Sequence, residues 1–408
     1  MTNSQSISHK RQAWFMIAAC FLIQMSLYGI SINLFQLYII PVTEALGFSR
    51  GSFMVCQSII FFSSMLGSAM GWKLYQKWGM LPVVRVASIV ISLAYISQGF
   101  VTHIVLFYIL SAIIGLCSGL ATVVPLSILI RSWFNEKVGT AIGIAFMGTG
   151  VGGMIFMPIG NALILAHGWQ TTYKILGLVM AVICIPIYLF VLRFGPYTEK
   201  SEASESKSEE IASKQEAKAR TGLGSSHYLL MAFCSLLSIS TSTIIFTLNP
   251  YLQDLEYSPT FAATVGAVSM GALAIGKIVL GRLIDLKGII TSTRVLTVLL
   301  ALGFLALILM NHWLFLIPVM LGVLIGSPYG TIMLPIIGTE VSTPSNRDQA
   351  VSMYTAAGAF GSAIGPIIVG FSYDSFQSYL PAFYGAMAIT LISGLGIAYF
   401  LKRFKELT

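Results

Sequence analysis

The stretch FAATVGAVSMGALAIGKIVL, residues 261–280, decides the class of fold, because Lys277 is its only charged residue. A helix that crosses a bilayer needs about 20 predominantly apolar residues. A charge within such a helix is costly to bury, and in membrane proteins it marks a functional position by default. The stretch therefore predicts a transmembrane helix in which Lys277 has a role in function.

The composition extends this interpretation to the whole chain, since 56% of the residues are hydrophobic, 9% are charged and the mean hydropathy is +0.85. Soluble domains carry about 25% charged residues. Strands of a membrane barrel would alternate polar and apolar residues over about 10 positions. The sequence instead predicts an all-α membrane protein with twelve transmembrane helices, at residues 13–40, 52–74, 84–101, 104–130, 139–165, 171–192, 227–251, 261–283, 292–310, 313–338, 350–370 and 381–401.

The basic residues indicate how these helices are oriented. When the loops are assigned to alternate sides, twenty of the 23 Lys and Arg residues fall on one side, Lys277 lies in the membrane, and only Arg50 and Lys174 fall on the other side. Short loops rich in Lys and Arg remain cytoplasmic. The sequence therefore predicts that both termini are cytoplasmic. The net charge of +8 reflects this topology and gives no support for nucleic-acid binding.

A polar segment divides the chain into two halves. Residues 194–226 are rich in Glu, Lys, Ser and Ala and contain no apolar run long enough to cross a membrane. This composition is typical of a flexible linker, with a loose surface helix as the alternative for part of it. The sequence predicts an N-terminal six-helix bundle at residues 1–193, a cytoplasmic linker at 194–226 and a C-terminal six-helix bundle at 227–408.

Short patterns recur in the two halves at a nearly constant separation. WKLYQKWG ends at Gly79, and GRLIDLKG ends 209 positions later at Gly288. A second set recurs 208 positions later, with Gly150, Gly153 and Pro158 matched by Gly358, Gly361 and Pro366. Internal repeats of this kind occur in secondary transporters. The two bundles are therefore expected to be parallel copies of each other.

The titratable residues favour neither an enzyme nor a metal site. All five cysteines lie inside predicted helices without the spacing of zinc ligands, and the five histidines lie near predicted helix ends. The sequence contains no nucleophile beside a base and no phosphate-binding glycine loop. We expect no enzymatic activity, no metal and no cofactor.

With these repeats, the chain resembles the major facilitator superfamily over its whole length. The segment GRLIDLKG, residues 281–288, is similar to the signature loop of that superfamily, in which a carboxylate and basic residues hold the cytoplasmic side closed. The resemblance implies the major facilitator fold and gating roles for Asp285 and Arg282, and Arg131 is a further gate candidate. The first copy departs from the pattern, with Trp72 in place of the first glycine and Gln76 in place of the acid.

A narrower resemblance begins at residue 133, where the chain reads WFNEKVGTAIGIAFMGTGVGG. This run resembles the monocarboxylate porters and the related oxalate/formate antiporters. Glycines at spacings of three and four residues allow helix backbones to pack closely. In those families a basic residue, usually arginine, stands four residues before the signature glycine, and here that residue is Lys277, four before Gly281. The resemblance implies that Lys277 neutralises a substrate carboxylate; the alternative is that Lys277 snorkels to the interface.

Two departures from these families bear on cargo and coupling. Oxalate/formate antiporters carry a second lysine in a YTAKG pattern, whereas residues 354–358 here read YTAAG, with Ala357 at the lysine position. One fixed positive charge fits a single carboxylate better than two. Animal-type monocarboxylate porters carry an aspartate where this chain has Leu273. Proton symport therefore lacks its usual carboxylate, and exchange or facilitated diffusion is equally consistent with the sequence.

Polar residues inside the predicted helices are further candidates for cargo contacts, because they can donate or accept hydrogen bonds in a cavity. They are Tyr28, Asn33, Gln36, Gln57, Asn249, Tyr329 and Tyr354. For each of them alone, the more common role is packing between helices.

The sequence thus predicts a transporter of small organic anions, foremost monocarboxylates, that works by alternating access. The alternative is an exporter of hydrophobic or drug-like compounds, which would favour an Asp or Glu deep in a helix, and the predicted helices contain none. The expected partners are a small carboxylate, the lipid bilayer and either a proton or a counter-anion. We expect a monomer in the cell membrane, as a multi-pass protein of a bacterial inner membrane.

Overall fold

The computed structural model describes residues 3–134, 138–196, 225–342 and 347–407. The described residues form helices and no strand, which confirms the all-α class. The helices before residue 197 are α1 Asn3–Ile23, α2 Phe35–Leu46, α3 Arg50–Trp78, α4 Met80–Gln98, α5 Ile104–Ala121, α6 Val123–Trp133 and α7 Val138–Pro186, with π-helices at Gln24–Asn33 and Ile187–Val191.

After residue 224 the helices are α8 Ser225–Asp254, α9 Pro259–Ile308, α10 Leu316–Gly326, α11 Leu334–Glu340, α12 Arg347–Phe376 and α13 Leu380–Leu407. A 3-10 helix at Trp313–Phe315 precedes α10, and a π-helix at Tyr329–Met333 joins α10 to α11. Ten helical runs among the described residues are long and apolar enough to cross a membrane. The protein is therefore a multi-pass membrane protein.

Two of these runs bend at a glycine. Helix α7 has non-helical backbone angles at Gly168, where φ is +77°, and α9 has the same φ at Gly288. A positive φ is open to glycine because it lacks a Cβ atom. Both glycines lie in the gaps that the sequence predicts between neighbouring spans.

The predicted helix at residues 104–130 is interrupted in the structure between α5 and α6. Pro125 has no N–H to donate to the carbonyl of Ala121, so the backbone hydrogen bonds fail at this turn. The Tyr188 hydroxyl donates to the Ala121 carbonyl at 2.6 Å, and the Tyr75 hydroxyl donates to the Leu120 carbonyl at 2.5 Å. These tyrosines satisfy carbonyls that a membrane interior could not hydrate.

The chain divides into two compact units. One unit contains residues 1–34 and 63–220, and the other contains residues 35–62 and 221–408. The second unit therefore includes the hairpin Phe35–Phe62, which is formed by α2 and the first half of α3. Most of the predicted linker, residues 197–224, lies outside the described residues, and the predicted bundle boundaries stay predictions.

Glycines bring helices into close contact within each of the two units. In the first unit, a Cβ atom on Gly148 or Gly152 would meet backbone atoms of α1 and of the π-helix that follows it. In the second unit, a Cβ atom on Gly361 or Gly365 would meet atoms of α8 in the same way. The close packing predicted from the glycine spacing is confirmed at Gly148 and Gly152, whereas a Cβ atom on Gly139 or Gly143 of the same run would meet nothing within 4 Å.

Candidate functional site

Lys277 lies on the face of α9 that points into the protein. Met270, Ala274, Leu280 and Ile284 share its side of the helix, and all four are buried. The opposite face carries large exposed apolar side chains, namely Val268, Ile275 and Ile278, with 52%, 57% and 58% of their surface exposed. Lys277 itself is partly exposed. It therefore lies where the inward face of α9 reaches accessible space, and it points away from the lipid-facing side.

The residue before Lys277 fixes α9 against α10. A Cβ atom on Gly276 would collide with the carbonyl oxygen of Leu324 and would lie 3.0 Å from a ring carbon of Pro328. A side chain at position 276 would therefore push α9 away from α10. The close approach at Gly276 holds Lys277 at a defined height and rotation on the inward face.

This contact predicts a difference between two glycines of α9. Gly276→Ala should lower the unfolding temperature, because overpacking costs about 1–3 kcal/mol. Gly281→Ala should leave the unfolding temperature unchanged or raise it slightly, because a Cβ atom at Gly281 would meet nothing within 4 Å. Thermal unfolding of the two variants in detergent checks this. Equal stability of the two variants would contradict the proposed packing role of Gly276.

Two candidate tyrosines, Tyr329 and Tyr354, join other helices to α8 in the second unit. The Tyr329 hydroxyl, in the π-helix after α10, donates to the Cys234 carbonyl at 3.3 Å. The Tyr354 hydroxyl, on α12, lies 3.3 Å from Nδ1 of His227 and 3.4 Å from the His227 carbonyl. Both side chains are fully buried. In this state the two hydroxyls bond to α8, and their role in cargo binding stays a prediction.

The candidate amides Gln36 and Asn249 are brought together where α2 packs on α8. The Gln36 side-chain oxygen accepts from the Asn249 backbone N–H at 3.3 Å. The Asn249 side-chain oxygen accepts from Gln253 at 2.8 Å. The Asn249 side-chain nitrogen is buried and has no hydrogen-bond partner among the described residues.

Gln57, on α3, is the most unusual of the candidates. Its side chain is completely buried, and neither its amide oxygen nor its amide nitrogen has a hydrogen-bond partner in the described part of the chain. A buried polar group without a partner costs about 1–3 kcal/mol. Phe61, one turn further along α3, contacts Phe246 of α8 with ring centroids 5.8 Å apart. Gln57 is therefore held at the contact between α3 and α8 at an energetic cost.

Two candidates, Tyr28 and Asn33, lie in the first unit, in the π-helix Gln24–Asn33. The Asn33 amide donates to the Thr149 carbonyl of α7 at 2.8 Å, and Tyr28 is partly exposed. Departures from regular α-helix of this kind are frequent at functional sites.

The three residues assigned to gating, Asp285, Arg282 and Arg131, have exposed side chains. Arg282 and Asp285 lie on α9 before the bend at Gly288, so the signature segment is helical rather than a loop. Arg131 lies in the last turn of α6. Their gating roles stay predictions. Among the described residues, no group of three His, Cys, Asp or Glu side chains could hold a metal ion.

Sequence reasoning missed a cluster in the second unit at the start of α3. The Arg50 guanidinium forms two hydrogen bonds with the Asp254 carboxylate, at 2.6 and 2.8 Å, and donates to the Tyr379 hydroxyl at 3.2 Å. Its central carbon lies 4.0 Å from the ring centroid of Tyr373. The only signal in the sequence was that Arg50 lies on the side that is poor in basic residues.

A carboxylate from α12 completes this Arg50 cluster, which consists of Arg50, Gly51, Asp254, Tyr373, Asp374 and Tyr379. The Gly51 backbone N–H donates to the Asp374 carboxylate at 3.0 Å. Burial raises the pKa of the Tyr379 hydroxyl, so it stays neutral at physiological pH and can accept from Arg50. The cluster thus connects α3 to the ends of α8 and α12.

One family model matches most of the chain. The model of the Major Facilitator Superfamily matches residues 16–341 and, in a second match, residues 228–407. The uncharacterized MFS-type transporter YcxA of Bacillus subtilis is 24% identical over 200 residues, which are 48% of this chain and 48% of that protein. The oxalate:formate antiporter of Oxalobacter formigenes is 26% identical over 185 residues, 44% of this chain and 43% of that protein.

A shorter match joins the chain to the riboflavin transporter RibJ of Trypanosoma cruzi, which is 34% identical over 74 residues, 18% of this chain and 16% of that protein. The chain thus spans about half or less of the length of these curated relatives. A crystal structure of a mutant of the nucleoside transporter NupG aligns with a TM-score of 0.76 at 13% identity, over 96% of this chain and 99% of that one. The inward-open xylose transporter XylE of E. coli aligns with a TM-score of 0.72 at 11% identity, over 97% and 99%. These structures show the fold.

Proposed function

Because the chain belongs to the Major Facilitator Superfamily, we propose that it carries small organic anions, foremost monocarboxylates, across a membrane by alternating access. The observation that carries this cargo class is Lys277, a cation on the inward face of α9 beside accessible space. A fixed cation in a site of low polarity attracts an anion strongly. The similarity to the oxalate:formate antiporter supports an anionic cargo.

The proposal includes a topology. The bends at Gly168 and Gly288 would divide two of the ten apolar runs, so that the chain crosses the membrane twelve times. Both termini would then be cytoplasmic, where short loops rich in Lys and Arg remain. The cell membrane of a bacterium and a monomeric state complete the proposal.

Lys277 would bind the cargo carboxylate, and the bound anion would offset the cost of keeping the lysine charge away from water. Bound cargo would thereby permit the cavity to close and the alternating-access cycle to proceed. Tyr28, Asn33, Tyr329 and Tyr354 are proposed to supply hydrogen bonds to the cargo when the cavity opens. Gln36, Gln57 and Asn249 are proposed to do the same, and the unpartnered amide atoms of Gln57 and Asn249 support this.

The limit to one carboxylate rests on position 357. Ala357 is partly exposed and lies beside the face of α12 that contains the buried residues Tyr354, Gly358 and Gly361. The methyl group of Ala357 is apolar, so this position provides no second positive charge for a second carboxylate. Monoanions are therefore the proposed cargo, moved by proton symport, by exchange against a counter-anion or by facilitated diffusion.

Uptake into proteoliposomes tests this function. The panel contains formate, lactate, pyruvate, a longer aliphatic monocarboxylate, oxalate and succinate, together with riboflavin and a lipophilic cation. We expect saturable uptake of monocarboxylates that exceeds uptake of either dicarboxylate. Stimulation by a pH gradient would indicate symport, and stimulation by an internal anion would indicate exchange. Movement of riboflavin or the lipophilic cation without movement of any acid would overturn the proposal in favour of the runner-up, an exporter of hydrophobic or drug-like compounds.

A further inference from the structure

The hairpin Phe35–Phe62 precedes residues 63–220 in the chain, but it is packed with the unit that contains residues 221–408. Gly51 and Met54 of α3 lie against Gly370 of α12, where a Cβ atom on Gly370 would be 2.6 Å from the Gly51 Cα atom and 3.1 Å from the Met54 Cβ atom. Deeper along α3, Phe61 contacts Phe246 of α8. The first three turns of α3 therefore pack on α8 and α12.

The charges of the Arg50 cluster lie at helix ends that do not favour them. Arg50 is the first residue of α3, and the N-terminal end of a helix carries partial positive charge. Asp254 is the last residue of α8, and the C-terminal end of a helix carries partial negative charge. Neither charge stabilises its own helix. Each is favourable only when the start of α3 meets the end of α8, so the pair depends on that contact.

The geometry of the pair is that of a strong contact. Two parallel N–H···O bonds between guanidinium and carboxylate give direction as well as strength. The relative exposures of the Arg50 and Asp254 side chains are 13% and 25%, so water screens the pair only in part. The guanidinium also stacks on Tyr373 and reaches Tyr379, and Lys could not reproduce the fork or the stacking.

We propose that the Arg50–Asp254 pair, braced by Tyr373, Tyr379 and Asp374, is a latch that holds α3 against α8 and α12 and must break before cargo can pass that end of the path. The proposal rests on the proposed function in one respect, namely that the protein works by alternating access. In such a cycle the contacts at each end of the cargo path form and separate in turn. The contact that Arg50 holds is the one closed in this state.

Gln57 destabilises the closed contact that the Arg50 cluster stabilises. Both polar atoms of its side chain lack a hydrogen-bond partner within the described ranges, and the side chain lies between the latch and the Phe61–Phe246 contact. Separation of α3 from α8 would let water or cargo bind this amide. The closed state is thus favoured by the Arg50 cluster and disfavoured by Gln57, and this balance keeps the contact able to open.

The test measures how often this contact opens. Met54 is fully buried where α3 packs on α12, so in Met54→Cys the thiol reacts with a maleimide only when the helices separate. The five native cysteines are buried, and the parent protein without Met54→Cys gives their background labelling. We expect Arg50→Gln and Asp254→Asn each to raise the labelling rate of purified Met54→Cys protein by about tenfold, since each leaves one charge of a partly buried pair without its partner.

Three further variants sharpen the result. Arg50→Lys keeps the charge and should raise the rate less than Arg50→Gln. Lys174→Gln is the matched control and should leave the rate unchanged, because Lys174 lies over Phe100 in the first unit. Gln57→Leu should lower the rate by about threefold or more, because an apolar side chain removes the cost of the unpartnered amide. Opposite effects of Arg50→Gln and Gln57→Leu cannot come from general loosening of the fold.

The labelling experiment uses no cargo, so it can contradict the latch proposal without testing the proposed monocarboxylate cargo. Parental labelling rates in both Arg50→Gln and Asp254→Asn would overturn the latch, whatever is transported. If either variant fails to fold, the labelling rates of Arg50→Lys and Gln57→Leu test the latch instead. Labelling rates equal to that of the parent protein in both variants would overturn the latch. Faster labelling in a protein that carries no acid would support the latch and overturn only the cargo.

Discussion

Replacement of Lys277 by glutamine should lower the rate of monocarboxylate uptake by about a hundredfold. Loss of one partner of a desolvated ion pair costs about 2–5 kcal/mol, and about 1.4 kcal/mol corresponds to a factor of ten. Glutamine has nearly the length of the lysine stem and can still donate a hydrogen bond, so the change removes mainly the charge. Uptake into proteoliposomes at several concentrations separates a loss of affinity from a loss of rate.

The control for this prediction lies on the same helix. Lys287 of α9 is exposed, and Lys287→Gln should leave monocarboxylate uptake within about twofold of the wild type, since exposed charges contribute about 1 kcal/mol or less. Lys277→Arg keeps the charge and should keep the preference for anions. Wild-type uptake by Lys277→Gln would show that Lys277 does not bind cargo. Equal losses in Lys277→Gln and Lys287→Gln would show a general effect of charge.

A second cation at position 357 should turn the preference toward dicarboxylates. In Ala357→Lys the new ammonium group would extend from beside the buried face of α12, one turn after Tyr354. The new ammonium group would attract the second carboxylate of oxalate. Two opposite charges about 4 Å apart attract each other with about 4 kcal/mol at an effective dielectric constant of 20. If about half of this energy, about 2 kcal/mol, favours oxalate, the ratio of oxalate uptake to formate uptake should rise by about thirtyfold, since about 1.4 kcal/mol corresponds to a factor of ten. Competition between labelled formate and unlabelled oxalate measures the change.

The adjacent alanine provides the matched control. Ala356 is exposed on α12, about 100° around the helix from Ala357, so the lysine of Ala356→Lys would point elsewhere. This variant should keep the wild-type ratio of oxalate to formate. An unchanged ratio in Ala357→Lys, or the same shift in both variants, would contradict the assignment of position 357 to the cargo path.

The helices were predictable because each needs only local information. Apolar runs of the length of a bilayer predicted the helices, and Gly168 and Gly288 lie in gaps between predicted spans because only glycine adopts their positive φ easily. The signature segment before Gly288 was expected to be a loop but is helical. Its residues Arg282, Leu283, Ile284 and Asp285 contain no proline or glycine, so nothing in them ends the helix.

The Arg50 cluster could not be predicted, since its partners are far apart in the chain. Arg50 and Asp254 are 204 positions apart, and Arg50 and Tyr379 are 329 apart. From the sequence, Asp254 and Asp374 were ordinary carboxylates near the ends of apolar runs. No periodic pattern indicates that such ends meet. The surroundings of the polar candidates could not be predicted from the sequence either. Gln57 is buried without a hydrogen-bond partner among the described residues, whereas Asn33 donates to a carbonyl of α7.

Binding of a monocarboxylate to the purified protein is the sharpest test of Lys277 as the cargo site, because binding does not require a complete transport cycle. Ligand that binds the folded state raises the unfolding free energy by about 2.7 kcal/mol at a hundred times its Kd. We predict that the unfolding temperature of the wild type rises with lactate or formate concentration, and that Lys277→Gln shows no rise over the same range while Lys287→Gln behaves as the wild type. An equal rise in the wild type and in Lys277→Gln would contradict the account.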